Sequence, residues 1–347
     1  MGALIGSVER LREKGIGAIP VKEGVQSFRR LIEGNPGVPQ VIVTSRVAGL
    51  ETWRAPRPAE PHATFRFIED VRYELPEVEL IARSRLNVQD DPYLLDHDWK
   101  GSLLFPFVFG LEAMTQAVAR LTGRPRLDVI RAVDIDLERP ISVNRETGTT
   151  IELRALAQEP AKPGDPARIR AAVYSEADGY SHPHFSATFI FEKDEKKPRS
   201  KQPPKVDAAK DTGIDPQTDL YGPILFQGKL FQRIRNVHSL YYDSAIRFGE
   251  CVFTAEHTAP KTQSKNLSKF VNGFLTIDPF MIDSMLQSMQ VIISQDMSLP
   301  RSIKKIDINT HVSEGSRNCI IATKTRRMDK DYYSGESHVL NPQLFVD

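Results

Sequence analysis

His97, Gly101 and Pro106 follow one another as H-x-x-x-G-x-x-x-x-P. Beyond the proline, Phe107, Leu111, Met114, Val118 and Leu121 recur at alternating steps of four and three, the spacing of one helix face. A proline suits a helix start, and Gly123 suits its end. A histidine and a glycine therefore sit in the loop that feeds a helix N-terminus. Free backbone N–H groups there can receive a carbonyl oxygen while an imidazole beside them takes a proton. Spacing alone leaves a second reading of His97 open, that of a hydrogen-bonded structural group. Far downstream, Pro279 opens another helix. Its apolar face is Met281-Ile282, Met285-Leu286, Met289 and Ile292-Ile293, and Asp283, Gln287, Gln290 and Ser294 form one polar stripe at steps of four, three and four. Asp283 reads as an acid of the first turn, where a carboxylate also complements the helix dipole.

These groups need elements to hold them. Val108, Ala113 and Ala117 widen the apolar face of the first helix until Glu112, Gln116 and Arg120 are its remaining polar surface, so other structure must wrap it. Around it the period changes to two. Val78, Leu80, Ala82, Ser84 and Leu86 alternate with Glu79, Arg83 and Arg85, a strand with one wet face. Runs over Ile151–Ala157, Ile169–Val173 and Phe185–Phe191 alternate likewise and are separated by Gly- and Pro-containing turns. One apolar helix followed by several half-wet strands means a sheet curled around that helix. After a Lys- and Pro-rich stretch the plan repeats with strands near Cys251–Ala255, the helix from Pro279, and strands through His311 and Thr325.

Two further stretches carry a family resemblance. Tyr221-Gly222-Pro223 followed by Phe226-Gln227-Gly228 resembles the Y-G-P-x-F-Q-G loop of polyketide synthase dehydratase domains, with one extra residue. Asp278-Pro279 leading to Asp283 and Gln287 resembles the H-P-x-x-L-D-x-x-x-Q helix start of the same family, and His97–Pro106 resembles its first motif. All three stand in the family's order, and the resemblance covers residues 62–347. Asp278 departs from the usual His, and Phe107 from the Gly that commonly follows the proline. The run GLEAMTQA is similar to enediyne and polyunsaturated-fatty-acid-type synthases. The resemblance implies an α+β double hotdog, two antiparallel sheets each wrapped around a long central helix. It also implies dehydration of a β-hydroxyacyl thioester, carried on the phosphopantetheine of an acyl carrier protein, to the enoyl thioester. In that scheme His97 is the base and Asp283 the acid. Gly101 steadies the enolate oxygen, and Gln287 and the Tyr221 phenol orient the acid. Pro106, Gly222, Pro223, Phe226 and Met281 line the substrate tunnel. No cofactor and no metal follow from this chemistry. A product-template-type cyclase and a catalytically silent docking scaffold are the competing readings. The first shares the His/Asp pair, and the Asp278 and Phe107 departures bear on the second.

The domain plan expected is a ketoreductase C-terminal remnant with a Pro-rich linker over 1–55, a first hotdog over 56–193, a connector over 194–215 and a second hotdog over 216–347. The first unit rests on short amphipathic helices around Gly15–Pro20 and a strand at Gln40–Thr44, which resemble a ketoreductase tail without its nucleotide turn. A net charge of +1 with dispersed basic residues excludes a nucleic-acid footprint. No apolar run suits a membrane span and no signal-peptide pattern is present. Cys251 and Cys319 are too few for a disulfide framework and badly spaced for zinc, which fits a reducing, cytoplasmic setting. The expected partners are an acyl carrier protein and neighbouring synthase domains, with a ketoreductase upstream; homodimerisation stays open.

Overall fold

Apolar residues on every side of a helix demand cover on every side. The computed structural model describes residues 19, 21–34, 65–124, 127, 129–158, 166–191, 212–256, 267–293, 300–309, 318–328 and 333–340. Most of the proposed ketoreductase remnant and of the 194–215 connector, together with Ser294 and His311, lies outside these residues. Helix α1 (Val21–Gly34) stands first and buries none of its residues. Strands β1 (Asp70–Leu75) and β2 (Glu79–Leu86) form a hairpin. A tight turn (Pro92–Asp96) leads to the short strands β3 (Asp98–Trp99) and β4 (Ser102–Leu104), and then to helix α2 (Phe107–Leu121). Strands β5 (Val129–Leu137), β6 (Ser142–Val143), β7 (Thr149–Gln158), β8 (Ala167–Ser175) and β9 (Phe185–Phe191) complete the first half. The second half contains β10 (Ile234–Asp243), β11 (Phe248–Glu256), helix α3 (Pro279–Ile292), β12 (Ser302–Asn309), β13 (Asn318–Arg327) and β14 (Tyr333–Leu340).

The sheets are antiparallel. Seven strands run in the order β1-β2-β7-β8-β9-β5-β12, four in the order β10-β11-β13-β14, and β3-β4-β6 make a small third sheet. The seven-stranded sheet curls around α2, which packs on β2, β7, β8 and β9 and buries every residue except Arg120. Burying Phe109, Leu111, Met114 and Val118 contributes about 1.5–3 kcal/mol each. The four-stranded sheet holds α3 in the same way, and α2 and α3 touch each other. This is the double hotdog architecture. Strand β12 belongs to the second half of the sequence yet pairs along β5, from Ser302 opposite Asp136 to Asn309 opposite Val129, so the first sheet is completed by the second half.

Two expectations about wet surface are corrected. Glu79 is buried, and Glu152 on the neighbouring strand is buried between Arg83 and Arg154, whose guanidinium groups lie over Tyr180 and Tyr174. Around Glu152, ion pairs and aromatic rings thus cover the outer face of the sheet, while Arg85 is exposed. On α2, Glu112 and Gln116 are buried as well, and Arg120 forms a two-pronged ion pair with Glu74. Their polar groups are spent on partners rather than on water.

Candidate active site

His97 is held by the small β3–β4 hairpin. Lys100 (φ 51°) and Gly101 (φ 87°) are the two central residues of its turn, the pair of positive φ values that a two-residue type I′ hairpin requires. The Gly101 N–H donates to Asp98 Oδ1 at 2.7 Å, and Gly101 is exposed. This corrects the placement of Gly101 at the helix entrance: it shapes the hairpin, and its N–H already has an acceptor. The hairpin returns Leu104 beside His97, where Leu104 N–H donates to His97 O at 3.1 Å and Leu104 O lies 3.0 Å from Nδ1. A carbonyl can only accept, so Nδ1 carries the proton and Nε2 presents its lone pair. The rings of Phe226 and Phe231 stand 4.9 and 5.4 Å from the imidazole centroid. Burial among them lowers the His97 pKa to about 4, which keeps the ring neutral at ordinary pH.

Asp283 sits in the second turn of α3, not the first. Asp278 is the N-cap, and its side chain accepts from Phe280 N–H and Met281 N–H. The helix-terminal donors are therefore taken by Asp278, and Asp283 is left buried without them. Burial raises its pKa to about 7, and a hydrogen bond from Gln287 Nε2 to Oδ2 (2.8 Å) opposes that rise. Desolvation outweighs the helix dipole because the dipole acts mainly on the first turn. Gln287 is itself fixed: its Nε2 also donates to Phe231 O (3.1 Å), and its Oε1 accepts from Tyr221 OH (3.1 Å). The Tyr221 oxygen accepts in turn from Ile234 N–H at 3.0 Å. Tyr221 thus holds Gln287 by a hydrogen bond, and the charge of Asp283 adds to the burial that pushes the phenol pKa up to about 12.

The loop between Tyr221 and Phe231 joins the two sides. Phe231 turns its ring to His97 and its carbonyl to Gln287, so one residue touches both the imidazole and the partner of the carboxyl group. Gly222 (φ 99°) and Pro223 form the exposed tip of the loop, where Gly222 N–H closes onto Leu225 O at 2.8 Å. They shape the loop instead of lining an interior tunnel. Phe226 turns inward against His97 and Trp99. Met281 is buried in the first turn of α3.

Pro106 is the N-cap of α2, one residue ahead of the first-turn position expected of it, and it offers no side-chain acceptor. Its carbonyl takes the N–H groups of Phe109 and Gly110, both at 3.0 Å. The N–H groups of Phe107 and Val108, at the head of the helix, have no carbonyl of the preceding turn to donate to. The set comprises a neutral base, a protonated acid near neutrality and a helix N-terminus, which together suit proton abstraction beside a carbonyl with departure of a hydroxyl. Among the described residues no group of three or more His, Cys, Asp or Glu side chains could hold a metal ion.

Two family models match the chain. One, the polyketide synthase dehydratase domain, matches residues 70–176, and the other, described as the polyketide synthase dehydratase N-terminal domain, matches residues 198–343. The chain belongs to the polyketide synthase dehydratase family. It is a hydro-lyase domain of the type I synthases. Solved structures agree on the fold. The dehydratase domain from the CurF module of curacin polyketide synthase superposes with TM-score 0.58 at 14% identity, over 81% of this chain and 94% of that one. The dehydratase domain of a mycocerosic acid synthase-like synthase gives 0.57 at 16%, over 82% and 93%. A CurJ dehydratase in which a histidine is replaced by phenylalanine, named as an inactive mutant, gives 0.55 at 14%, over 80% and 91%. No curated protein matches in a sequence comparison.

Both departures of this dehydratase from the family pattern have local causes. Asp278 replaces the usual His and caps α3 with two hydrogen bonds. Phe107 replaces a Gly and packs edge-on against Phe185, whose ring also fills the space beside Gly110. Sequence reasoning missed Asp96. Its carbonyl accepts Gly228 N–H (2.8 Å) and its Oδ2 accepts Leu230 N–H (3.0 Å), so it ties the second-half loop to the residue before His97. It also missed the buried pair Arg66 and Asp91, which fixes the turn leading to His97. Adjacency to the histidine was the one signal for Asp96; nothing in the sequence pairs Arg66 with Asp91.

Proposed function

We propose that this dehydratase removes water from a β-hydroxyacyl thioester delivered on the phosphopantetheine of an acyl carrier protein, giving the α,β-unsaturated thioester. His97 Nε2 takes the proton from the carbon next to the thioester carbonyl. The C–H electron pair moves into an enolate whose oxygen is received by the N–H groups at the start of α2. As the enolate collapses, the α,β double bond forms, the β C–O bond breaks, and the Asp283 carboxyl proton goes to the departing hydroxyl as water. His97 is left as imidazolium and Asp283 as carboxylate, and one proton must return from the first to the second before the next turnover. Gln287 holds the acid and Tyr221 holds Gln287. Nothing is oxidised or reduced, so the reaction as written needs no cofactor.

The observation that carries this reading is the opposed protonation of the two groups: burial leaves His97 neutral and Asp283 protonated at the same pH. The inactive CurJ dehydratase with histidine replaced by phenylalanine supports a histidine at the centre of the chemistry. The test is to offer β-hydroxyacyl carrier protein to the chain and follow the acyl group by mass. Loss of one water is expected, and ring closure without that loss would favour the cyclase. An acyl group returned unchanged would favour the scaffold.

A further inference from the structure

Glu112 is a buried carboxylate outside the acid–base set. It projects from the second turn of α2 towards the segment that enters α3. Its oxygens accept from Leu275 N–H (2.9 and 3.1 Å), Thr276 N–H (2.8 Å), Thr276 Oγ1 (2.7 Å) and Gln116 Nε2 (2.8 Å). Gln116 in turn accepts Phe67 N–H at 2.9 Å. A carboxylate is an acceptor on every lone pair, which matches a ring of donors; an amide would turn an NH₂ group against them. Next along the chain comes Ile277, at φ 74°. A β-branched residue in the left-handed region is strained and persists only where its surroundings over-determine it. Here both flanks are held, Thr276 by Glu112 and Asp278 by its capping of α3.

We propose that Glu112 is a positioning residue for Asp283. By fixing Leu275 and Thr276 it holds Ile277 in its left-handed turn, sets the direction in which α3 departs, and so places the Asp283 carboxyl group. The first half thereby aims the acid of the second. This inference rests on the reading of Asp283 as the acid.

The experiment compares the full chain with Glu112→Gln, Asp283→Asn and the double variant, using a short 3-hydroxyacyl thioester of N-acetylcysteamine. Glu112→Gln should lower kcat by about tenfold or more and leave KM within about twofold, the pattern of a misplaced transition-state group. The double variant should be no slower than Asp283→Asn alone, because the two changes act through one carboxyl group. Losses that multiply, or a Glu112→Gln enzyme with wild-type kcat, overturn the proposal while the acid assignment stands. Asp283→Asn turning over at near the wild-type rate overturns the acid assignment and this proposal with it. Should Glu112→Gln not fold, Glu112→Asp decides by the same kcat and double-variant criteria, since it keeps the charge and withdraws the carboxylate from the Leu275 and Thr276 amides.

Discussion

Gly228 lies directly against Asp96. Its N–H donates to the Asp96 carbonyl at 2.8 Å, and a Cβ built on it would fall 2.2 Å from Asp96 Oδ1 and 2.9 Å from Asp96 Cα. The two residues are the seam along which the Tyr221–Phe231 loop closes over the residue that precedes His97. A glycine is required for close approach alone, because the obstacle includes backbone that cannot rotate away. Gly228→Ala should destabilise the fold by about 1–3 kcal/mol through overpacking. It should also lower turnover, since Phe226 and Phe231 ride on the same loop. Thermal unfolding and kcat of the purified variant check this; an alanine variant with unchanged values would mean that the loop is not seated on Asp96.

His97→Ala should reduce dehydration by roughly 10²–10⁴-fold, the share that a positioned general base supplies. The thermal midpoint should fall by only a few degrees, since the ring makes one hydrogen bond and two aromatic contacts. Circular dichroism melts alongside the mass assay separate the two effects. An unfolded variant would assign His97 to structure.

The pH profile of kcat/KM should be a bell. Activity requires His97 without its extra proton and Asp283 with its own. Rate therefore falls towards acid as the imidazole, lowered to about 4, takes up a proton. It falls towards alkali as the carboxyl group, raised to about 7, loses one. The limbs belong to the pair as a unit. Asp283→Asn should remove the alkaline limb and leave a rate at least about 10²-fold lower, whereas an alkaline limb that survives the substitution assigns it to another group.

The same raised pKa predicts a stability effect of opposite sign. Below about pH 4 Asp283 is protonated in both the folded and unfolded chains and costs nothing. As pH rises the unfolded chain ionises first, and above the folded value of about 7 the full penalty of a buried carboxylate is present. Asp283→Asn removes that penalty. Its stability gain over the wild type should be larger at pH 8 than at pH 5 by roughly 2–3 kcal/mol, at about 1.4 kcal/mol per pK unit. Denaturant titrations at the two pH values measure this directly; a gain that does not grow with pH contradicts a raised carboxyl pKa.

Removal of residues 1–55 should leave a folded and active chain. Helix α1, the described part of that region, buries none of its residues against the rest. Turnover and melting of the truncated chain against the full chain provide the check, and an insoluble or inactive truncation would make this region part of the fold.

The sequence by itself determined the architecture. An apolar stripe wide enough to cover α2 leaves no alternative to a sheet wrapped around it, and alternation in β2, β7, β8 and β9 supplies that sheet. These are local patterns with fixed periods, so they are legible along the chain. Tertiary structure decided which partners each polar group meets. Glu112 and Gln116 looked like the wet face of a helix, yet they anchor Thr276 and Phe67. Gly101 has a hairpin acceptor in Asp98, and Asp278 takes the helix-capping place that frees Asp283 from it. Strand β12 crosses to the other half's sheet. Each of these depends on residues far apart in the chain or on backbone conformation. The raised Asp283 pKa comes from burial, which depends on packing and not on the residues next to it in the chain.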